Sequence, residues 1–261
     1  ESGDLSIAIS HSRDDEFKYL YISFNEMVRK LKTLIDQVYK QRIFMQDAQL
    51  KQLQSQINPH FLFNSYFILH RMVVMEDNVN AARFSKQLGT YMQFITRNAE
   101  DDTLMKLEVE HARIYTEIQA MRFKNRLTVF FDPLPAKFDN IHVPRLIIQP
   151  LIENAFEHGL DNKARDGLLK VSFRESETGL HVVIEDNGSG MGHDELHALT
   201  ALLDDPAGRG ITETTGIINV HRRLQLRYGS NSGLTFSNSE LGGLMVKIVI
   251  DLQERLEQDN V

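Results

Sequence analysis

The sequence predicts two kinds of structure in one chain, a helical first half and then an α+β sandwich. Up to about Phe123 the apolar residues recur at steps of three and four, the period of a helix face. From Leu127 they form short β-branched or alternating runs bounded by Gly or Asn, with helical stretches between them. The length of 261 residues leaves room for two modest domains plus an extended element.

Composition narrows the class. Hydrophobic residues at 42% and charged residues at 25% are those of an ordinary globular chain. A formal net charge of −7 argues against a nucleic-acid partner, because neutralising phosphates needs a basic face. The absence of cysteine excludes disulfides, thiol nucleophiles and thiolate metal sites, and fits a reducing compartment. No run reaches the roughly 18 to 20 apolar residues of a membrane span, and no signal-peptide pattern is present. The sequence starts at Glu1 rather than Met, so the expectation is a fragment with room for a membrane segment upstream.

Residues 1–14 hold Gly3-Asp4, a short alternating run and a polar cluster. Phe17, Leu20, Phe24, Met27, Leu31, Leu34 and Val38 then alternate steps of three and four, a heptad seam for a long coiled-coil helix. The seam fails at Gln41 and a new stripe starts at Leu50, a phase slip of the kind that changes coiled-coil winding locally.

The stretch QLQSQINPHFLFN (Gln52–Asn64) is apolar on nearly every side, leaving only Gln56, His60 and Asn64 as a polar strip at steps of four. Such a helix is buried on several faces, as in a bundle. Pro59 inside it is expected to kink the axis and expose the imidazole of His60. A second helix is expected from Val79 to about Asn98, with Phe84, Leu88, Tyr91 and Ile95 as its stripe. Two such hairpins from two chains make a four-helix bundle. A third helix runs from Leu107 to Phe123. Taken alone, His60 reads as a satisfied polar residue of that bundle.

In the second half, Leu127–Asp132, Leu168–Glu175, Leu180–Asp186, Leu234–Ser239 and Leu244–Asp251 read as strands. Helices are expected at Val143–His158, Asp194–Leu203 and Gly216–Tyr228, giving a sheet covered by helices. The first opens at Pro144 as N1 residue and closes at Gly159 as C′ residue, with Pro150 as an internal cost.

Three stretches read as a nucleotide site. On the first helix Asn154 and His158 share a face, and the Asn154 side-chain oxygen is a hard neutral ligand suited to Mg²⁺. At the end of an apolar strand stands Glu185-Asp186-Asn187-Gly188-Ser189-Gly190-Met191. There a buried Asp186 carboxylate accepts the exocyclic amine of adenine, and Gly188 and Gly190 let the backbone turn and approach the ligand. Third, Gly208-Arg209-Gly210 and Thr214-Thr215-Gly216 lead into a helix N-terminus, a place where free N–H groups bind phosphate. The segment between Gly192 and Thr215 is then a lid.

Together these stretches resemble the N, G1 and G2 boxes of the GHKL (Bergerat-type) ATP-binding fold. PRLIIQPLIENAFEHGL (Pro144–Leu160), VVIEDNGSGM (Val182–Met191) and GIINVHRRLQLRYG (Gly216–Gly229) are similar to the boxes of LytS/YesM-type sensor histidine kinases. QINPHFLFN (Gln56–Asn64) resembles that family's phosphoacceptor box, and IYTEIQAMRFKNRL (Ile114–Leu127) its connector into the ATP domain. Gly3-Asp4 followed by DEFKYLYISFNEMV (Asp15–Val28) resembles the second half of a HAMP linker, a module that follows a membrane helix.

The resemblance implies a partial HAMP and signalling coiled coil over 1–40, dimerisation and phosphotransfer helices over 41–123, and a catalytic ATP-binding domain over 124–261. It makes His60 the phosphoacceptor, Asn154 the Mg²⁺ ligand and Asp186 the adenine reader. Gly188, Gly190 and Gly216 become positions of close backbone approach, with His158, Thr214 and Thr215 also at the nucleotide. It further implies ATP and Mg²⁺ as cofactors, a homodimer on the cytoplasmic side of the membrane, and a response-regulator receiver domain as the phosphoryl acceptor.

Four positions bear on the chemistry. Phe61 stands where many other histidine kinases carry an acidic base, so Glu153 becomes the candidate base. Asn64 matches the position of a Thr or Asn that orients water for phosphatase activity in other kinases. Glu157 stands where many relatives carry a basic residue. Thr214 stands where the G2 box commonly carries glycine. Two competing readings follow: an ATP-binding signalling scaffold without transfer, and a GHKL ATPase. Against the ATPase, Pro150 stands four residues before Asn154, where a catalytic Glu would be needed. His193 and His197 lack the His-Glu-x-x-His order of a zinc helix and are expected to be bystanders.

Overall fold

The computed structural model describes residues 19–20, 22–35, 37, 40, 59–96, 102–123, 126–161, 163–204 and 215–253. The chain divides into two compact units, Glu1–Pro59 and His60–Val261. In the first unit the described residues between 19 and 40 are helical, as the heptad period predicts. The seam residues Leu20, Phe24, Met27, Leu31 and Leu34 are all exposed on the single chain. The Gly3-Asp4 pair, the phase slip at 41–50 and Gln56 lie outside the described residues. So does Ser55, and with it the expected kink at Pro59, where the described helix begins.

Three helices follow: α1 (Pro59–Val74), α2 (Asn78–Thr96) and α3 (Met105–Phe123). Asp77 stops the turn between α1 and α2 from unravelling. Its Oδ1 accepts the Asn80 N–H at 3.4 Å, and its Oδ2 the Asn80 side-chain amide at 2.8 Å, an N-terminal cap. The predicted stripe of α2 is the buried one, through Phe84, Tyr91 and Ile95. It meets Tyr115 of α3, which is also buried.

The second half carries a five-stranded sheet, ordered across its width as the strands that begin at Leu127, Gly167, Gly179, Leu244 and Gly233. The strands are β2 (Leu127–Phe131), β4 (Gly167–Glu175), β5 (Gly179–Asp186), β6 (Gly233–Asn238) and β7 (Leu244–Asp251). The β2–β4 pair is parallel and the other three pairs are antiparallel. Register aligns Val171 with Ile184 and Ile184 with Val246, so one face is a continuous buried aliphatic surface. Burying it against helices supplies the main driving force, at roughly 25 cal/mol per Å² of apolar area. All five predicted strands are present within a residue at each end.

Two findings correct the expected helix over Val143–His158. Residues His142–Pro144 form β3, which pairs antiparallel with β1 (Asp102–Leu104) in a small second sheet. The helix α4 starts only at Gln149 and runs to Asn154, then continues as a π-helical turn over Ala155–Leu160. Pro150 therefore sits in the first turn, where no intrahelical partner for its nitrogen is needed, and carries no cost. The cause of the late start lies far away in sequence. Glu108 on α3 accepts the backbone N–H groups of Leu146 (2.9 Å), Ile147 (2.8 Å) and Ile148 (3.0 Å), which a longer helix would have kept. Leu146 adopts a left-handed φ of 57° to aim them there. Gly159, expected as a C-terminal cap, lies inside the π-helical turn instead. Two further helices, α5 (His193–Asp204) and α6 (Thr215–Tyr228), stand where predicted.

Candidate nucleotide site and phosphoacceptor helix

Strand alternation places Asp186 on the buried face. Leu180, Val182, Ile184 and Asp186 are successive inward residues of β5, so the strand ends by pointing a carboxylate into the layer beneath the helices. Asp186 is only 4% exposed. Its Oδ1 accepts the Gly188 N–H at 2.7 Å and the Leu244 N–H at 3.4 Å. Burial raises its pKa above the usual carboxylate value, and the two backbone bonds oppose that rise.

Glycines make room for this carboxylate. A Cβ on Gly159 would lie 2.8 Å from Asp186 Cγ, and one on Gly243 only 2.1 Å from Asp186 Oδ1. A Cβ on Gly188 would lie 2.3 Å from the Gly159 carbonyl oxygen. The π-helical turn, the end of β5 and the start of β7 thus close around one acidic side chain. Gly243 was not singled out from the sequence; the Gly242-Gly243 doublet was the only signal. Asn187 holds the loop down, accepting the Leu168 N–H at 2.8 Å and donating to the Asp166 carbonyl at 2.8 Å.

A cavity of about 250 Å³ opens beside Asp186, lined also by Asn154, His158, Gly159, Gly190 and Met191. Ile184, Leu199 and Val246 supply apolar walls. Apolar walls with one convergent acidic group suit a flat heterocycle that carries an amine donor. The predicted pair Asn154 and His158 meets on this cavity, and Gly190 reaches its place with a φ of +67°, which favours glycine. Gly188 supports Asp186 from the backbone and lines no part of the cavity. Gly216 is exposed, with open space where a Cβ would stand. Thr215 is the first residue of α6, while Thr214 and Gly208-Arg209-Gly210 lie outside the described residues.

His60, Asn64 and Glu153 line no part of that cavity either. His60 is exposed on α1, and the Asn64 amide one turn on lies 3.2 Å from its Nε2 and 3.4 Å from its Nδ1. The next residue turns inward: Phe61 is 3% exposed, with its ring 4.5 Å from Tyr91 and 5.2 Å from Tyr115. Phe61 therefore anchors the helix while His60 stays at its surface. Half-buried Glu153 on α4 adds to the burial that raises the pKa of both tyrosine hydroxyls. Of the remaining histidines, His111 is buried on α3 and His221 on α6, where its Nδ1 accepts the Leu234 N–H at 3.0 Å.

Two family models fit the chain in the order these elements occur. The model described as "Histidine kinase" matches residues 48–127. The model described as "Histidine kinase-, DNA gyrase B-, and HSP90-like ATPase" matches residues 139–254. The sensor histidine kinase YesM of Bacillus subtilis (strain 168) is 26% identical over 94% of this chain and 41% of its own length. The sensor protein LytS of Staphylococcus haemolyticus (strain JCSC1435) is 28% identical over 80% of this chain and 35% of its own. Over most of its length the chain is thus similar to the LytS/YesM-type sensor histidine kinases. The sensor histidine kinase/phosphatase LytS of Staphylococcus aureus (strain MRSA252) is a further relative, 26% identical over 76% of this chain and 33% of its own. The chain spans less than half the length of each of these three relatives. Its second half is a GHKL ATP-binding domain.

Proposed function

We propose that the chain is the kinase core of a two-component sensor, in which ATP held beside Asp186 phosphorylates His60 and the phosphoryl group passes to an aspartate of a response-regulator receiver domain. The observation that carries this is the pairing of a built purine cavity around a buried Asp186 with an exposed His60 anchored by its neighbour Phe61.

Asp186 accepts the exocyclic amine of adenine, and Gly190 and the π-helical turn allow close approach. Thr214, Thr215 and Gly216 lead the phosphates to the N-terminus of α6, where free N–H groups and the helix dipole favour anions. An imidazole nitrogen of His60 attacks the γ-phosphorus. The N–P bond forms, the bond to the β,γ-bridging oxygen breaks, and ADP leaves with the electron pair. Glu153 takes the proton the imidazole sheds. Such transfer asks the protein mainly for positioning and charge neutralisation.

Mg²⁺ fits this site as a cation carried by the nucleotide. Among the described residues no group of three or more His, Cys, Asp or Glu forms a cage. The cavity does offer the neutral Asn154 amide oxygen, one protein ligand for an ion that otherwise keeps water and phosphate oxygens. When bound, the ion would neutralise charge on the transferring phosphate.

A homodimer follows from α1. Phe63 and Phe67 are each 66% exposed, and Tyr66 and Val74 beside them are exposed too. Two hairpins bury these faces in a four-helix bundle, and the exposed 19–35 seam pairs as a coiled coil below a HAMP linker. In this reading residues 1–40, 41–123 and 124–261 are the signalling, phosphotransfer and catalytic parts. Among the described residues no helix is long and apolar enough to cross a membrane. The membrane tether is assigned upstream, with the core on the cytoplasmic side.

Incubation with γ-labelled ATP and Mg²⁺ tests the proposal. Acid-labile label on the wild type that is absent from His60→Gln supports it. ATP binding without label points to a scaffold, and free phosphate without labelled protein to an ATPase.

A further inference from the structure

A polar chain outside the nucleotide cavity joins three helices. His111 on α3 lies between two rings of α2, 4.9 Å from Tyr91 and 4.1 Å from Phe94. Its Nε2 is 2.7 Å from Gln149 Oε1, and Gln149 Nε2 donates to the Tyr91 hydroxyl oxygen at 3.1 Å. An amide oxygen only accepts, so with Gln149 Oε1 facing it His111 carries its proton on Nε2, and the Gln149 amide nitrogen faces Tyr91. Burial keeps the imidazole neutral, with its pKa pushed down to about 4.

Its two ends matter. Gln149 is the first residue of α4, the helix that carries Glu153 and Asn154. Tyr91 also packs against Phe61, the residue after His60, with ring centroids 4.5 Å apart and planes tilted by 46°. One tyrosine thus touches both the helix that lines the nucleotide cavity and the anchor of the phosphoacceptor, while neither Tyr91 nor Gln149 lines the cavity itself. Glu153 acts electrostatically on the same hydroxyl.

We propose that Tyr91 and Gln149 are positioning residues for phosphoryl transfer, forming the joint that sets the Asn154 helix against the His60 helix. This rests on His60 being the phosphoacceptor. Their hydrogen bond adds nothing to ATP binding. It fixes the relative placement of two helices whose side chains must meet at one phosphorus atom.

The test uses the whole chain with γ-labelled Mg-ATP, a fluorescent ATP analogue for affinity, and thermal unfolding. Tyr91→Phe keeps the ring and its stacking and removes only the hydroxyl. It is expected to slow His60 labelling about tenfold, since small misplacements of reacting groups cost rate steeply, while analogue affinity stays unchanged. Gln149→Met deletes the other side of the same bond, so the double variant should be no slower than the slower single. Labelling at the wild-type rate in both single variants would overturn the joint. So would affinity falling in step with rate, or single effects that multiply in the double variant. A wild type that takes no label overturns the proposed function and the joint together, whereas a labelled wild type with unaffected variants overturns the joint alone.

Discussion

Glu108 accepts the backbone N–H of Ile147 at 2.8 Å across 39 residues of sequence. The same carboxylate holds Leu146 and Ile148, so a single fully buried side chain on α3 decides where the Asn154 helix begins. Burial raises its pKa, and the three amides act against that rise.

Glu108→Ala leaves the buried amides of Ile147 and Ile148 and the half-buried amide of Leu146 without their acceptor. With a lost hydrogen bond to a charged group worth about 1.5 to 3 kcal/mol, a stability loss of about 3 kcal/mol or more is expected. Urea unfolding of the variant measures it. A loss below about 1 kcal/mol would mean that water or a rearranged loop replaces the carboxylate.

Asp186 should show opposite effects on stability and binding. Its pKa is raised by burial, so the folded state holds the proton more tightly than the unfolded chain. Its carboxylate therefore costs stability above the folded pKa, and that cost is relieved as pH falls through it. Asp186→Asn keeps an oxygen for the Gly188 N–H and removes the buried charge, so the midpoint of thermal unfolding should hold or rise. ATP affinity should fall roughly tenfold to a hundredfold, the range for losing one hydrogen bond to a charged acceptor. Calorimetric titration with ATP, set beside thermal melts, separates the two effects.

His111 predicts the acid limb of stability. Its pKa falls from 6.5 to about 4 in the folded state, so between those values the unfolded chain binds a proton that the native chain refuses. The contribution is complete above pH 6.5 and is lost as pH drops towards 4, by roughly 3 kcal/mol in all. Urea unfolding at pH 7 and pH 4.5 should show that dependence in the wild type and a weaker one in His111→Phe.

Much of this was legible in the sequence, for local reasons. The strands carry β-branched runs that end in Gly or Asn, and Asp186 stands where such a run meets Asn187-Gly188. Asn154 and His158 share a helix face by spacing alone, and both line the cavity. What was not legible is non-local. The start of α4 depends on Glu108, some forty residues away, so Pro144 and Gly159 offered plausible but wrong helix ends. The three-residue strands β1 and β3 are too short to show a period. Gly243 is recognisable only from the carboxylate it makes room for, and Tyr91, Gln149 and His111 become a unit only when three helices meet.

Asn64 lies beside His60, the proposed phosphoacceptor. Its amide lies within 3.2 Å of a His60 nitrogen, close enough to order a water beside a phosphoryl group. Asn64→Ala is expected to impair dephosphorylation of the regulator more than labelling of His60. Parallel time courses of both reactions check this, and equal losses would contradict it.

The most direct measurement is the ³¹P NMR spectrum of the chain incubated with Mg-ATP. A phosphohistidine resonance is expected in the wild type, absent from His60→Gln and strongly reduced in Asp186→Asn. A resonance that survives in His60→Gln, or one indifferent to Asp186, would contradict the pairing of this histidine with this cavity.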